Sequence, residues 1–197
     1  MEGWRFPPRS PSLMQMPRQA SLVPGRSCDG CTLCCKLLPV EALNKPRTVM
    51  CSHCTSGVGC GIYEQRPSEC QDFYCEYRLN AELGEEWKPL TAHMLVMVES
   101  RARRVHVMVD EGHYDVWRTE PYYSQIKVMA TNMLHQQGHL VVWEGYEGIG
   151  ILPHKDVRLG RWAPDRVIVA GKRQTEQGEE FDIMLWDRDD PRLKPSP

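Results

Sequence analysis

The stretch of sequence that decides the fold is Cys28-Asp29-Gly30-Cys31-Thr32-Leu33-Cys34-Cys35. Its cysteines follow the spacing C-x2-C-x2-C-C. A C-x2-C turn brings two sulfurs to one point and lets the adjacent amides face them, which is how many zinc and iron–sulfur ligands are presented. Gly30 permits the tight turn because it has no Cβ. We therefore predict that a metal-binding module begins here.

The other cysteines lie further along the same region. The chain has nine cysteines, and residues 76–197 contain none. Disulfides that staple a whole fold would be spread along it, so this clustering indicates a local site. A catalytic pair of thiols would account for a single C-x2-C motif and leave the other cysteines unexplained. The predicted metal ligands are Cys28, Cys31, Cys34, Cys35, Cys51, Cys54, Cys60, Cys70 and Cys75.

Thiolates suit metal ions because they are soft, anionic donors. Four of them satisfy the tetrahedron of a divalent ion, whose charge offsets their mutual repulsion. The nine cysteines can close two tetrahedral sites with one left over, or hold one cubane cluster and one zinc. The expected cofactor is zinc or iron, and a [4Fe–4S] cluster is one form of the iron. The spacing alone leaves these alternatives open.

The region around the cysteines, residues 27–89, is predicted to be a loop-rich module with one short helix over residues 72–84. Gly84 stands where that helix would end, and Trp87-Lys88-Pro89 is expected to form a linker. The module has few large apolar side chains, so we expect bound metal to organise it.

Residues 90–190 are predicted to form an α+β domain. Met94 to Val98 is a continuous apolar run, and valines alternate from Val105 to Val109, which is typical of strands. A helix is predicted from Pro121 to Gly138, and further strands at 140–143, 148–152, 166–170 and 181–186. Strands on both sides of one main helix favour a small, mostly antiparallel sheet. Residues 1–26, which are basic, and residues 191–197 are predicted to be disordered tails.

Composition excludes several classes of protein. The net charge of −2 comes from 24 basic and 26 acidic residues, a balance that disfavours a dedicated nucleic-acid protein. No apolar run approaches the roughly 20 residues of a membrane-spanning helix, and residues 1–26 lack the apolar core of a secretory signal. A cytoplasmic location is therefore expected, where thiols stay reduced.

The cysteine pattern resembles a known family. The first cysteine run is followed by Cys60-Gly61-Ile62-Tyr63-Glu64-Gln65-Arg66-Pro67, then Cys70 and Phe73. Together they resemble the YkgJ-like CxxCxxCC cysteine-cluster family, whose mostly bacterial members are described as zinc- or iron-chelating. A subgroup is also similar at Met50-Cys51-Ser52-His53-Cys54, Cys75 and Trp87-Lys88-Pro89. The resemblance implies metal chelation. Cys54 matches the subgroup alone, so it is the candidate for a spare thiol.

The expected function is metal binding through a cluster with a structural role. One alternative is an iron–sulfur enzyme related to flagellin lysine methylase, acting in redox chemistry or methyl transfer. Another is an adaptor that binds a protein partner through the C-terminal domain. Two neighbouring residues each have two possible roles. His53 is either a ligand or an exposed side chain. Arg66 either offsets the charge of the thiolates or pairs with Glu64 or Glu69 on the surface. His135 and His139 are expected at the surface.

Overall fold

A computed structural model describes residues 4–5, 22–176 and 178–193 of the chain. They form a five-stranded mixed sheet, a three-stranded antiparallel sheet and a two-stranded ribbon, together with one long helix and several single helical turns. The predicted α+β class, with a small sheet domain and one main helix, is confirmed. Among the described residues, no helix has the length and apolar character needed to cross a membrane.

The elements are numbered in chain order. The α-helices are α1 Leu33–Leu37, α2 Ser68–Gln71, α3 Glu76–Leu79, α4 Pro89–Ala92 and α5 Tyr122–His135. The strands are β1 Trp4–Arg5, β2 Cys54–Thr55, β3 Gly59–Cys60, β4 Met94–Glu99, β5 Arg104–Val109, β6 His139–Glu144, β7 Glu147–Ile151, β8 Asp156–Arg161, β9 Arg166–Thr175 and β10 Gly178–Asp187. Turns of 3-10 helix lie at Glu41–Leu43, Tyr63–Gln65, Glu85–Trp87, Ser100–Ala102, Val116–Arg118 and Pro191–Leu193.

The main sheet has the order β4-β5-β6-β7-β8. Its neighbours are antiparallel except β5 and β6, which run parallel. Parallel neighbours need a long crossover, and α5 provides it by carrying the chain back over the sheet. Ile126 and Ala130 lie one helical turn apart on α5 and are fully buried. A Cβ on Gly138 would meet the carbonyl oxygen of Arg103 at 2.3 Å, so a glycine is required where the helix gives way to β6.

Strand β8 was not expected from the sequence. Its residues are mostly polar, and only Val157 and Leu159 offer an apolar face. β8 is an edge strand of the main sheet, where polar residues are tolerated because one side faces solvent. The second sheet, of order β1-β9-β10, contacts the first where Ile183 lies against Gly150. A Cβ on Gly150 would approach the Cγ2 of Ile183 to 2.4 Å.

The cysteine region shares its hydrophobic core with the sheet. Leu33, Leu37 and Trp87 belong to the same buried cluster as the strand residues. Trp87 was expected in a linker, but it is 2% exposed, and its indole N–H donates to Gln125 of α5. The ring of Trp87 also meets Tyr122 edge-on at 5.1 Å. Residues 27–89 and 90–190 therefore pack together, while their separate folding stays a prediction.

Arg47 makes a second connection between the cysteine region and the sheet. Its guanidinium carbon lies 5.1 Å from the ring centre of Trp143, 5.2 Å from that of Tyr146 and 6.0 Å from that of Trp162. Nη2 donates to the carbonyl oxygen of Gly145 at 2.8 Å. A guanidinium among aromatic faces is stabilised by cation–π attraction, so this side chain attaches the loop after Lys45 to the β6–β7 hairpin.

The short helix predicted over residues 72–84 is interrupted. The structure has α3 over Glu76–Leu79, then a turn at residues 81–83, before the 3-10 turn at Glu85–Trp87. The Arg26 guanidinium donates to the carbonyl oxygens of Tyr77 at 2.5 Å and Asn80 at 2.9 Å. These bonds satisfy carbonyl groups at the end of α3 without a further helical turn. The contact comes from a distant segment, so local periodicity does not reveal it.

The predicted tails lie only partly within the described residues. Residues 1–3, 6–21 and 194–197 are outside them. Trp4–Arg5 pairs with β9 in antiparallel register, and the backbone N–H of Val23 donates to the carbonyl oxygen of Arg78 at 2.9 Å. Residues 22–26 thus run alongside α3 in space. Pro191–Leu193 forms a 3-10 turn.

His139, expected at the surface, is 8% exposed. It begins β6, and its Nε2 accepts a hydrogen bond of 3.0 Å from Nε of Arg104. Burial, together with the positive charges of Arg104 and, when protonated, His106, lowers the pKa of His139 to about 3. Glu99 faces this group as well, at 3.6 Å from Arg104 and 3.3 Å from His106. His139 is therefore neutral in the folded protein near pH 7, whereas His135 is exposed.

We expect acid to destabilise the fold through His139. Its pKa is depressed by folding, so the unfolded chain binds an extra proton between about pH 6.5 and about pH 3, and stability falls as pH falls through that window. Over the whole window the loss is on the order of 5 kcal/mol. Urea unfolding of His139→Gln should show a shallower decline between pH 7 and pH 4, with the exposed His154→Gln as control. Identical declines in both variants would contradict the assignment.

Candidate metal centre

The first two cysteines are brought together by the predicted tight turn. The backbone N–H of Cys31 donates to the carbonyl oxygen of Cys28 at 2.9 Å. Gly30 has φ of +68°, a left-handed conformation that glycine adopts without steric cost. The second C-x2-C motif is closed by an equivalent hydrogen bond, from the N–H of Cys54 to the carbonyl oxygen of Cys51 at 3.0 Å, but without a left-handed residue.

Helix α1 presents the paired cysteines. Leu33 and Leu37, one turn apart, are 7% and 1% exposed and attach the helix to the core. Cys34 and Cys35 lie between them, and successive residues of an α-helix point roughly 100° apart. Cys34 packs against the core cluster, whereas Cys35 adjoins the loop that follows, because the N–H of Cys51 donates to the carbonyl oxygen of Cys35 at 3.0 Å.

Four cysteines form what we call the inner group, namely Cys28, Cys31, Cys34 and Cys75. Burial raises the pKa of Cys31, and the charges of Cys28 and Cys35 raise it further. Burial likewise raises the pKa of Cys75 to about 11, and the thiols of Cys28 and Cys31 raise it further when they are ionised. Cys75 is itself a core residue, and Cys31 and Cys34 pack on the same core. These thiols therefore interact with one another on the side of the module that faces the sheet.

The other five cysteines form the outer group, namely Cys35, Cys51, Cys54, Cys60 and Cys70. Cys54 and Cys60 are direct partners across the β2–β3 ribbon. Burial raises the pKa of Cys54 to about 12, and Cys35, Cys60 and Cys51 add repulsion. Burial also raises the pKa of Cys70, again with Cys35, Cys51 and Cys60 as neighbours. The neighbours that these thiols share place all five in one electrostatic environment.

Cys35 carries negative charge in the metal-free protein. A hydrogen bond from Cys34 is the main cause that lowers the pKa of Cys35 to about 6. A hydrogen bond from Cys54 and the positive charges of Lys45 and Arg66 act in the same direction, against burial. The pKa of Cys34 is raised, because its proton is held in that hydrogen bond and its sulfur is buried. The pair therefore shares one proton near neutral pH.

Lys45 provides a buried countercharge for the outer group. The residue is 7% exposed, and its ammonium donates to the carbonyl oxygens of Lys36 at 3.2 Å, of Leu38, and of Pro46 at 3.0 Å. Burial lowers the pKa of Lys45, while Cys51, Cys35 and other thiols of the cluster raise it. These hydrogen bonds hold the ammonium beside the sulfurs. Its positive charge stabilises thiolate there.

The residues that accompany the cysteines in the family-like motif have separate roles. The guanidinium of Arg66 stacks 3.8 Å from the ring centre of Tyr63, and its charge reaches Cys35. Glu69 instead accepts backbone N–H bonds of 3.2 Å from both Glu41 and Ala42. Among the described residues, no ion pair joins Arg66 to Glu64 or Glu69, so of the two alternatives the structure favours the countercharge near Cys35. The side chain of His53 is exposed.

The donor set fits metal, although the sulfurs stand wider than a bound ion would hold them. All nine cysteines are free and described, yet no three of their sulfurs lie within 4.8 Å of one another. Zinc–sulfur bonds of about 2.3 Å place tetrahedral sulfurs roughly 3.7 Å apart. Metal binding would thus draw each group inward, as expected where binding and folding are coupled.

One group of donors was missed from the sequence. Within the described part of the chain, His93, Asp110 and His113 are the set whose ligand atoms all lie within 4.8 Å of one another. Only the spacing Asp110-x2-His113 hints at it, because His93 lies on another element. Searches of protein-family models, of curated proteins and of solved structures found no match to this chain. The chemistry of these sites follows from their own side chains.

We expect Cys35 to be the more reactive of two comparably exposed thiols in reduced, metal-free protein. The thiolate is the nucleophile, and at pH 7 Cys35 is largely thiolate whereas Cys54 is largely thiol. Alkylation followed by peptide mass spectrometry should show the Cys35 rate levelling off above about pH 6 and the Cys54 rate still rising at high pH.

The countercharge gives the control. Lys45→Met should raise the pKa of Cys35, because a positive charge beside the thiolate is lost. Lys36→Met should leave the pKa of Cys35 unchanged, since the Lys36 ammonium contacts Asp110 at 2.6 Å. Equal profiles for Cys35 and Cys54 would be incompatible with this electrostatic arrangement.

Proposed function

We propose that the protein binds two metal ions, one in the inner group and one in the outer group of cysteines. The observation that carries this proposal is the pair Cys34–Cys35 on α1, whose members interact with different sets of cysteines. Cys34 is joined by Cys28 and Cys31, while Cys35 is joined by Cys54. Four thiolates complete a tetrahedral site, so the inner group supplies one set and the outer group supplies one set with a spare.

A bound metal ion would offset the cost of buried thiolates in the inner group. Burial holds the thiols of Cys31 and Cys75 protonated in the metal-free chain, because an isolated buried thiolate is costly. A divalent ion offsets the charge of the thiolates and replaces their protons. Cys75, Cys31 and Cys34 pack on the hydrophobic core, so an ion here ties α1 to α3 against the sheet. The role is structural.

Zinc and iron both accept four thiolates in a tetrahedron. The resemblance of the cysteine pattern to the YkgJ-like family, with its zinc- or iron-chelating members, supports the same assignment. A cytoplasmic location fits as well, because nine free cysteines persist where thiols are kept reduced. An absorption spectrum of anaerobically purified protein separates the metals, because iron–thiolate and iron–sulfur centres are coloured and zinc is not.

Elemental analysis of the variants tests the division into two groups. The full chain should carry about two metal ions, and Cys31→Ser should lose about one, because the inner group has no spare sulfur. Cys54→Ser should keep about two, because the four remaining sulfurs of the outer group still complete a site. A folded, unoxidised chain with well under one ion would refute metal binding, and equal losses in the two variants would refute the spare thiol.

A chelator tests the structural role. We expect removal of metal to expose the amides of residues 28–75 to hydrogen exchange while strands β5, β6 and β7 stay protected. The reason is that the cysteine region has few large apolar side chains beyond those packed on the sheet. Protection that stays uniform after confirmed metal loss would point to an exchangeable site in place of a structural one.

A further inference from the structure

We propose that His93, Asp110 and His113 form a third metal site, separate from the cysteines, for a divalent first-row transition ion with open coordination positions. Each residue offers one ligand atom, and all three atoms lie within 4.8 Å of one another. A tetrahedrally bound ion with ligand bonds of about 2.0–2.2 Å needs donor separations of roughly 3.3 to 3.6 Å. Small side-chain rotations close that gap.

The backbone holds the three residues in place. His93 ends α4 and precedes β4, with φ of +51°, and Asp110 follows β5 directly. Met94 pairs with Val109 in the β4–β5 ladder. His93 and Asp110, which lie one residue beyond this pair, are therefore neighbours. The N–H of Asp110 donates to the carbonyl oxygen of His93 at 2.9 Å, and the N–H of His113 donates to that of Asp110 at 3.1 Å. The donors therefore sit on a hydrogen-bonded framework.

The two imidazoles stack face to face. Their ring centres are 3.7 Å apart with an interplanar angle of 3°. Neutral imidazole binds a metal ion through a nitrogen lone pair in the ring plane, so the two rings must rotate out of the stack when both bind one ion. Within the described residues, neither ring has a hydrogen-bond or ion-pair partner. His93 is half-buried and His113 exposed, so the pair is reachable from solvent.

Asp110 supplies the negative charge. Its side chain is 15% exposed, and Oδ1 lies 2.6 Å from the Lys36 ammonium. That oxygen is shielded from solvent, and the contact does not have hydrogen-bond geometry. The pairing leaves acceptor capacity on the carboxylate for a metal ion. The ammonium also weakens binding of a second cation nearby, so we expect this ion to exchange more readily than those held by thiolates.

The donors select the class of ion. Two imidazoles and one carboxylate suit zinc, iron, cobalt or nickel, whereas magnesium and calcium prefer a shell of oxygen ligands. With three protein donors, one or more coordination positions remain for water or a small oxygen-donor ligand. The thiol groups, in contrast, can surround an ion completely. The two kinds of site differ in chemistry, and Lys36, whose ammonium contacts Asp110, directly follows Cys35 in α1.

The test uses the full chain after the thiol groups have been loaded with zinc and excess metal has been removed. Cobalt(II) is then titrated as the probe. We expect one further equivalent to bind, with ligand-field absorption but without the sulfur-to-metal charge-transfer band of thiolate sites. Excess magnesium should not displace it. In wild-type protein, the His93 and His113 ring resonances should show paramagnetic shifts, while those of His154 should not.

Two variants and a matched control locate the binding. His113→Ala and Asp110→Asn should each weaken cobalt binding by at least roughly tenfold, while the exposed His154→Ala should bind as wild type. Zinc content and thermal unfolding establish that each variant is folded and that its thiol groups remain loaded. No further equivalent in wild type, cobalt bound with a thiolate spectrum, or unchanged affinity in both His113→Ala and Asp110→Asn would overturn the proposal.

Discussion

The packing of one short helix against the sheet is the constraint on which the rest of the molecule depends. Leu33 and Leu37 bury the apolar side of α1 in the common core, and this fixes the directions of Cys34 and Cys35. The sulfurs on this turn then face different neighbours, so the position of α1 sets the position of both thiol groups. The same turn carries Lys36, which reaches Asp110. A shift of α1 would disturb three groups of side chains at once.

Charge compensation follows from that arrangement. Thiolates in a partly buried cluster repel one another, and the protein offsets them with cations whose positions are fixed by hydrogen bonds. Lys45 is held by carbonyl groups in the last turn of α1 and in the loop that follows, and Arg66 is held by stacking on Tyr63. Both lower the pKa of Cys35. A cluster with one ready thiolate and several protonated thiols is suited to capture an ion first through Cys35 and then release protons as the others bind.

Local patterns accounted for much of the sheet domain. Alternating valines identified β5, the apolar run identified β4, and helical spacing with Gly138 at its end identified α5, because strand and helix periods reflect one buried face. β8 escaped because an edge strand keeps few apolar residues. The prediction of a mostly antiparallel sheet did not specify the parallel pairing of β5 with β6, since that pairing depends on where α5 returns the chain. The short helix near α3 was overestimated because Arg26 ends it from a distant segment.

The sequence by itself determined that the cysteines cluster from Cys28 to Cys75 and indicated the tight turn at Gly30, because cysteine spacing and glycine conformation are local properties. Only the tertiary structure decided which cysteines share an environment, since Cys75 meets Cys28 and Cys31 through packing of α3 beside α1. The burial of His139 and Lys45 and the meeting of His93 with Asp110 and His113 were decided in the same way. These contacts join residues far apart in the chain, and their geometry exists only once the β4–β5 ladder and the common core have formed.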